Sequence, residues 1–231
     1  MHNLPQSGIL NDDNRLHLNH GPIDLIIEAF GDHEVVRSAY EKAQIKFNYI
    51  LIDLVAELSL LRTPVSQNKK LLKSAIGLRM QDAVYPFYPT FVTPMAAVAG
   101  AVADYMLSIL CENNKLRKAY VNNGGDIAIY LEDNEVFNIG IITDLKTRAI
   151  GGTIAITQID NINGIATSGR HGRSHSLGIA DAVTVLAKNS AQADAAATLI
   201  ANAVDVQDTT RVKNIPANRR HPHRARAEQR H

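Results

Sequence analysis

The spacing of apolar residues in this chain changes near Ala119 from mainly helical to mainly strand-like, and that change limits the folds it can adopt. Before Ala119, apolar residues recur at helical intervals, in a long segment after Asp32 and in another after Thr93. After it come short runs typical of strands: AYVNN, DIAIYL, VFNIGII, GGTIAIT, GIATS and AVTVLA. A last helix is predicted from about Ser190 to Ala203. This order predicts an α+β fold with a mainly antiparallel sheet packed with helices.

Capping residues predict where the first helix begins and ends. Residues 22–30 have the pattern of a strand, and Asp32 can cap the helix that follows them. Pro64 is expected to end that helix. A second helical stretch is predicted from about Lys69 to Ala83, and the YPFYPTFVTP segment after it is predicted to be extended.

The helix after Thr93 has a face made of small residues. Thr93 offers a capping hydroxyl, and Pro94 suits the first helical position. The small residues that follow are Ala96, Ala99, Gly100 and Ala103. They would let another backbone approach closely, either within the core or in a homo-oligomer.

We interpret the chain as one domain with two polar flanks. Residues 1–21 are expected to be a polar N-terminal arm, residues 22–205 the domain, and residues 206–231 a basic tail. From Arg211 to His231 the tail contains seven Lys or Arg residues against Glu228 alone and lacks apolar periodicity, so disorder is predicted. No stacking aromatic residues accompany these charges, which argues against nucleic-acid binding.

Apolar runs and cysteine content predict a cytoplasmic protein without membrane contact. No uninterrupted apolar run reaches the roughly 18 residues of a membrane span, and the N-terminus lacks the order of a signal peptide. Cys111 is the only cysteine, which excludes an internal disulfide and fits a reducing compartment. Because Cys111 follows an apolar stretch, we expect an inert, partly buried thiol rather than a nucleophile.

The NNGGD segment lies between two predicted strands and has two interpretations. Gly124 and Gly125 permit positive φ and leave backbone N–H groups accessible to a ligand. Asn-Gly-Gly, which begins at Asn123, is also a common sequence of type I′ hairpin turns. The segment therefore predicts either a ligand-binding turn or an ordinary hairpin.

The GIATSGRHGRSHSLG segment, residues 164–178, concentrates hydrogen-bond donors directly after a predicted strand. The donors are Thr167, Ser168, Gly169, Arg170, His171, Arg173, Ser174 and His175. Hydroxyl, amide and guanidinium groups are what a phosphate or diphosphate requires. The alternative is a solvated basic loop.

The ADAAAT segment of the last helix offers two oxygen ligands for a metal. Asp194 and Thr198 are four residues apart and therefore share one helix face. Their carboxylate and hydroxyl suit magnesium that keeps waters and substrate phosphates. The alternative is an exposed Asp and a Thr bonded back to a helix carbonyl. Asp181, before AVTVLA, is either a third acidic candidate or a strand-end residue.

In their order and spacing, these segments resemble the ApbE superfamily of magnesium-dependent enzymes that move FMN from FAD onto proteins. NNGGD resembles its Gly-Gly-Asp turn, and ATSG resembles its Thr-Ser-Gly loop, which a histidine follows, here His175. VTVLAKNSAQADAAATLI resembles its final strand and helix. The TPMAAVAGAVAD and SHSLGIADAVTVLA segments are similar to an uncharacterised cytoplasmic family within that superfamily.

The resemblance implies an ApbE-like fold with a site for FAD or FMN and for magnesium. It assigns magnesium to Asp194 and Thr198, and it gives His175 the role of positioning or deprotonating the nucleophile. It assigns the flavin nucleotide to Asn123, Gly124, Gly125, Asp126, Thr167, Ser168 and Gly169. The nucleophile is a hydroxyl of an acceptor protein in FMN transfer, and water in FAD hydrolysis.

Three departures from the transferases favour binding over transfer. Ala99-Gly100 stands where they usually have Lys-Gly, and His175 is not followed by their usual Asp-Pro. The N-terminal strands that help cover the nucleotide also look reduced. One alternative is therefore a non-catalytic flavin or nucleotide-binding protein, and another is an enzyme that uses the fold for an unrelated ligand.

Overall fold

A computed structural model of the chain describes residues 4–10, 14–144, 149–170, 176–206, 210 and 212. The strands are β1 Gln6–Ile9, β2 Leu16–His20, β3 Ile23–Gly31, β4 Leu116–Asn123, β5 Asp126–Leu131, β6 Val136–Asp144, β7 Ala149–Thr157, β8 Gly164–Ser168 and β9 Val183–Ala187. The α-helices are α1 His33–Ala56, α2 Leu58–Leu61, α3 Ala75–Val84, α4 Val98–Cys111 and α5 Ser190–Ala203.

One seven-stranded sheet organises the fold. Its strand order is β1-β2-β3-β4-β5-β8-β9, and every neighbouring pair is antiparallel. Strands β6 and β7 form a separate two-stranded ribbon. The helices pack on the sheet through α1, α4 and α5. The predicted α+β fold with a mainly antiparallel sheet is confirmed.

The expected polar N-terminal arm, residues 1–21, is wrong, because two strands of the sheet lie within it. Strand β2 pairs with β3 along its whole length. Leu16 and Leu18 of β2 are fully buried in the main core. Polar residues alternate with these leucines in β2, so the segment has the polar composition of an arm although every second side chain points inward. The N-terminal strands are therefore present rather than reduced, although the four residues of β1 are exposed.

The first helix begins where its capping residue predicts but ends earlier than Pro64. The Asp32 carboxylate accepts a hydrogen bond from the Glu34 N–H at 3.0 Å, which confirms the cap. Helix α1 ends at Ala56, and the short α2 follows. The next helix begins at Ala75 rather than near Lys69, and the Ser74 hydroxyl caps it by accepting from the Gly77 N–H.

The segment before α4 is more helical than its prolines suggest. Tyr85–Phe87 and Pro94–Ala97 form short 3₁₀ helices, so YPFYPTFVTP is not extended throughout. The Thr93 side chain makes no capping hydrogen bond, because the first turn after it is a 3₁₀ turn. The α-helix proper begins at Val98.

The stretch Pro94–Cys111 is, among the described residues, the one with the length and apolar composition of a membrane span. Its mean hydropathy is 1.6 over 18 residues, and half of it is buried inside the fold. It also carries a buried aspartate, Asp104, which hydrogen-bonds to the first turn of α5. Partial burial and a hydrogen-bonded aspartate are properties of a helix packed in the interior of the fold.

The small face of α4 contacts α5 within the chain. A Cβ on Gly100 would lie 2.2 Å from the carbonyl oxygen of Ser190. Ala103, one turn later, is fully buried. The close backbone approach predicted for this face is therefore confirmed, and the neighbour is a helix of the same chain.

Candidate functional site

The NNGGD segment forms the tight turn between β4 and β5. Gly124 and Gly125 have φ values of 66° and 116°, and Asn123 pairs with Asp126 across the turn. Positive φ at both central residues is the requirement of a type I′ hairpin, which explains the two glycines. The Asn122 side chain closes the turn by accepting a hydrogen bond from the Gly125 N–H at 2.8 Å.

Asn123 attaches this hairpin to the beginning of α4. Its side chain is buried, and its amide donates a hydrogen bond to the Ala99 carbonyl at 3.1 Å. The amide side chain at this position therefore makes a contact with α4 that a smaller turn residue would not make. Asp126, which pairs with Asn123 in the hairpin, is held at the same end of α4.

The beginning of α5 is held in the same region by Asp104 and by two glycines. The Asp104 carboxylate accepts hydrogen bonds from the Ser190 N–H at 2.9 Å and from the Ala191 N–H at 2.8 Å. Burial raises the pKa of Asp104, and these two hydrogen bonds oppose that increase. Gly100 and Gly164 both touch the backbone around Ser190 so closely that a Cβ on either would clash.

Asp194 lies one turn into α5 and faces the beginning of α4. Its carboxylate accepts a hydrogen bond from the Gly100 N–H at 3.0 Å and another from the backbone of Ala99. Burial raises its pKa to about 7, although those two hydrogen bonds lower it, and the nearby charge of Asp104 adds to the increase.

Asp126 and Asp194 form a pair of carboxylates at the centre of the site. Burial, and then the charge of Asp194, raise the pKa of Asp126 to about 8, while a hydrogen bond from the backbone of Thr167 opposes the increase. Two carboxyl groups whose pKa values both rise lack a compensating positive charge. The arrangement can therefore bind a cation, or share a proton when none is bound.

Thr198 and Thr167 border this pair from different elements. Thr198 is partly exposed and lies one turn after Asp194 on the same face of α5. Thr167 in β8 has an exposed side chain, and its hydroxyl is 2.9 Å from that of Thr184 on β9. Thr198 therefore follows Asp194 on the helix, and Thr167 contacts Asp126 through its backbone.

Ser168 and Gly169 have structural partners within the chain. The Ser168 side chain is buried, and its hydroxyl is 3.3 Å from the Ser176 hydroxyl. A Cβ on Gly169 would lie 2.2 Å from the carbonyl oxygen of Asp181. The structure therefore explains both residue types by packing, and their predicted contact with a phosphate stays a prediction.

Asp181 does not join the carboxylate pair as a third member. Its carboxylate lies 2.7 Å from the guanidinium Nε of Arg170, in an exposed ion pair. The predicted catalytic residue, His175, lies with residues 171–174 outside the described residues. Its assignment therefore stays a prediction from the sequence.

The donor chemistry of the pair fits magnesium. Within the described ranges, no cluster of three or more His, Cys, Asp or Glu side chains forms a complete metal cage. Magnesium does not require one, because it commonly uses one or two carboxylates and keeps waters and substrate phosphates as its other ligands. Asp126, Asp194 and Thr198 supply only oxygen, which is the donor atom that magnesium prefers.

Sequence patterns predict individual site residues but not the backbone contacts around them. The assignment of Asp126 to the nucleotide stays a prediction, and the structure adds that its charge interacts with that of Asp194. The backbone groups of Ala99 and Gly100 that hydrogen-bond to Asp194 were not expected. The small face of α4 signalled a close approach at this point but not the hydrogen bonds.

A cavity lies elsewhere, between β3 and α1. Its volume is about 490 Å³, and its lining includes Glu28, His33, Arg37, Tyr40 and Arg117. None of the residues assigned to the flavin or the metal lines it. The size of this cavity therefore does not support the candidate site.

Comparison with known proteins gives a family and a fold. A family model described as AbpE bacteria matches residues 7–225. The UPF0280 protein of Methanothrix thermoacetophila is 32% identical over 197 residues, which cover 80% of this chain and 75% of that protein. The UPF0280 protein of Methanocaldococcus jannaschii is 40% identical over 124 residues, covering 53% of this chain. That match spans about half the relative's length, 49%.

The fold is that of a solved ApbE protein from Thermotoga maritima. The two structures superpose with a TM-score of 0.51, and the match covers 89% of each chain. Their sequences are only 14% identical. The comparison therefore establishes a shared fold and nothing finer.

Proposed function

Because this chain belongs to the family described as AbpE bacteria, we propose that it binds a flavin nucleotide, FAD or FMN, together with magnesium. The carboxylate pair of Asp126 and Asp194 carries this proposal, since two neighbouring carboxyl groups with raised pKa values favour a bound cation. The reaction that follows from binding is magnesium-dependent transfer of FMN from FAD to a protein, or hydrolysis of FAD.

Asp194 and Thr198 would hold the magnesium, and Asp126 would share it. When bound, magnesium neutralises the carboxylates and the negative charge that develops on the diphosphate. The Gly100 N–H and the backbone of Ala99 keep the Asp194 carboxylate oriented toward α4. These hydrogen bonds from the backbone would hold the Asp194 carboxylate in place before the nucleotide binds.

The hairpin turn and β8 would bind the diphosphate. Gly124 is exposed, and neither central glycine of the turn has a side chain that would obstruct an anion. The exposed side chain of Thr167 offers a hydroxyl on a residue whose backbone hydrogen-bonds to Asp126. We assign Asn123 a positioning role, because its amide already donates to the Ala99 carbonyl.

The chemistry breaks the bond between the FMN phosphorus and the oxygen of the leaving AMP. In transfer, a hydroxyl oxygen of an acceptor protein forms the new bond to that phosphorus, and in hydrolysis water does so. AMP leaves with the electron pair of the broken bond. His175 is our candidate for taking the proton of the nucleophile.

A non-catalytic flavin-binding protein is the second candidate. Ala99 occupies the position where the transferases usually have a lysine. Its backbone binds Asp194, but its methyl side chain brings no positive charge to the diphosphate. Binding without turnover is the property that separates this candidate from the first.

The test measures quenching of FAD fluorescence with and without magnesium, followed by chromatography of the incubated nucleotide. We expect magnesium-enhanced binding, and release of AMP if the enzyme is active. In Asp194→Asn, magnesium should no longer strengthen binding, because the variant removes the charge while keeping an oxygen that accepts from Gly100. Asp133→Asn, at an exposed position just past the opposite end of β5 from Asp126, is the matched control and should behave like the wild type.

Two outcomes would contradict the proposal. Absence of flavin binding would mean that this fold serves another ligand. Magnesium-enhanced binding that persists in Asp194→Asn would remove the metal site. Binding without AMP release supports the second candidate.

We also propose a cytoplasmic location, because the single cysteine, Cys111, fits a reducing compartment. Burial raises the pKa of its thiol to about 11, which keeps the thiol unreactive.

A further inference from the structure

Helix α1 is apolar on two opposite faces, of which only one is covered. Its inner face packs into the main core through Ala39, Tyr40, Ala43, Phe47, Ile50 and Leu54. Its outer face carries Ile45, Tyr49, Ile52 and Val55, which we call the outer stripe. These side chains are 61%, 59%, 60% and 58% exposed. A surface helix of a soluble protein normally has polar residues on that side.

The outer stripe is continuous along the second half of α1. Ile45, Tyr49 and Ile52 follow the i, i+4, i+7 spacing of one helix face, and Val55 extends it by a further turn. At 1.5 Å per residue, the stripe is roughly 15 Å long. A contiguous apolar patch of this kind marks an interaction site more often than a free surface.

Two charged residues of opposite sign flank the stripe. Lys46 and Asp53 are seven residues apart, so both lie along the same edge of it. Within the described part of the chain, neither has an ion-pair partner. Earlier in the same helix, by contrast, Arg37 forms ion pairs with Glu34 and Glu41.

We propose that the outer stripe is a dimer interface, in which α1 packs antiparallel against α1 of a second copy of this chain. A two-fold axis between residues 49 and 50 places Lys46 opposite Asp53 of the partner subunit. The same operation places Asp53 opposite the partner's Lys46. An isologous interface uses one surface twice, so this charge arrangement matches itself.

The same arrangement covers the apolar residues. In this register Ile45 falls within one residue of the level of Val55 of the partner subunit, and Tyr49 lies close to the axis, beside the partner's Tyr49. Tyrosine is enriched at the centres of protein interfaces, because its ring buries a large apolar area while its hydroxyl stays near polar groups. The complementary charges at the edge set the antiparallel register.

Sedimentation of the full chain between about 1 and 100 µM tests this proposal. We expect the wild type to be a dimer and Ile52→Asp to be a monomer with unchanged circular dichroism. Ile159→Asp is the matched control, since Ile159 is 90% exposed but lies after β7, outside the stripe. A monomeric wild type, or a dimer that Ile52→Asp leaves intact, overturns the proposal and leaves the stripe to another occupant.

Charge reversal tests the two-fold arrangement itself. Lys46→Asp places two aspartates opposite each other at both ends of the interface, so we expect dimer affinity to fall about tenfold or more. Adding Asp53→Lys to that variant restores both pairs with reversed sign and should recover the affinity. A double variant as weak as the single one overturns the antiparallel register.

Discussion

At the scale of single residues, Asp126 and Asp194 dominate the electrostatics of the candidate site. Burial raises the pKa of both, and the charge of Asp194 raises that of Asp126 further. The folded protein therefore binds protons that the unfolded chain, with aspartate pKa values near about 3.9, has already released. The pair therefore contributes most to the free energy of unfolding at low pH. That contribution is lost as the pH rises through the folded-state pKa values of about 7 and 8.

Asp126→Asn should reduce this pH dependence. Without divalent cations, we expect the free energy of unfolding of the wild type to fall between about pH 5.5 and 8.5, because the pair becomes doubly charged. The free energy of unfolding of the variant should fall less over the same range. The two decreases should differ by at least about 1.4 kcal/mol, the equivalent of one pKa unit. Urea unfolding at both pH values measures this difference.

The comparison of wild type and variant separates the pair from other carboxyl groups. The pKa of Asp104 is also raised by burial, but Asp104 is present in both proteins. Glu57, Glu135 and Asp160 have lowered pKa values and stay ionised throughout the range. Added magnesium should restore stability at high pH in the wild type more than in the variant. Parallel pH profiles for wild type and Asp126→Asn would show that the two carboxylates do not interact.

At the scale of elements, the site exists because one hairpin and two helices meet. Asn123 joins the β4–β5 hairpin to α4, Gly100 lets α5 approach α4, and Asp104 caps α5 from α4. Each of these contacts joins residues far apart in the chain. Helix α4 therefore contacts both halves of the site, the β4–β5 hairpin and α5.

Asp104→Asn should destabilise the junction of α4 and α5. Asparagine keeps one acceptor oxygen, so one of the N–H groups of Ser190 and Ala191 would face an amide donor instead. A buried polar group left without a partner costs about 1–3 kcal/mol. Urea unfolding measures the loss, which should appear in the transition midpoint.

Asn189→Ala is the matched comparison at the same end of α5. Its side chain accepts a hydrogen bond from the Gln192 N–H at 2.8 Å, but in an exposed position. Water can replace that bond, so its loss should cost about 1 kcal/mol. If Asp104→Asn costs less than Asn189→Ala, the buried cap does not anchor the helix.

At the scale of the whole molecule, the sheet extends to the beginning of the described chain. Strand β2 covers the edge of β3, and its residues Leu16 and Leu18 belong to the main core. Strand β1 forms the outer edge of the sheet and is exposed throughout. The two N-terminal strands therefore contribute very differently to stability.

Two N-terminal deletions distinguish these contributions. Removing residues 1–10 deletes β1 and should leave a folded protein with a slightly lower melting temperature. Removing residues 1–21 also deletes β2 and should abolish the folded state, since losing even one buried leucine side chain costs about 2–5 kcal/mol. Thermal denaturation followed by circular dichroism measures both. A cooperative, near-wild-type transition in the longer deletion would support the polar-arm interpretation.

The sequence by itself determined the features that depend on neighbouring residues. The change of apolar period near Ala119 predicted the order of helices and strands, Asp32 predicted the start of α1, and Gly124 and Gly125 predicted the turn. Each is local: a cap and a type I′ turn involve only a few consecutive residues. The sequence did not predict strand β2, because its alternation is short and its outward residues are polar.

Only the tertiary structure decided which distant groups meet. Strands β6 to β9 lie between Asp126 and Asp194 in the sequence, yet the charge of Asp194 raises the pKa of Asp126. The contact depends on Gly100, whose missing side chain admits Ser190 and whose N–H binds Asp194. Periodicity predicts the face that a residue occupies but not its neighbour across the core, because packing chooses that neighbour through close contacts between distant segments.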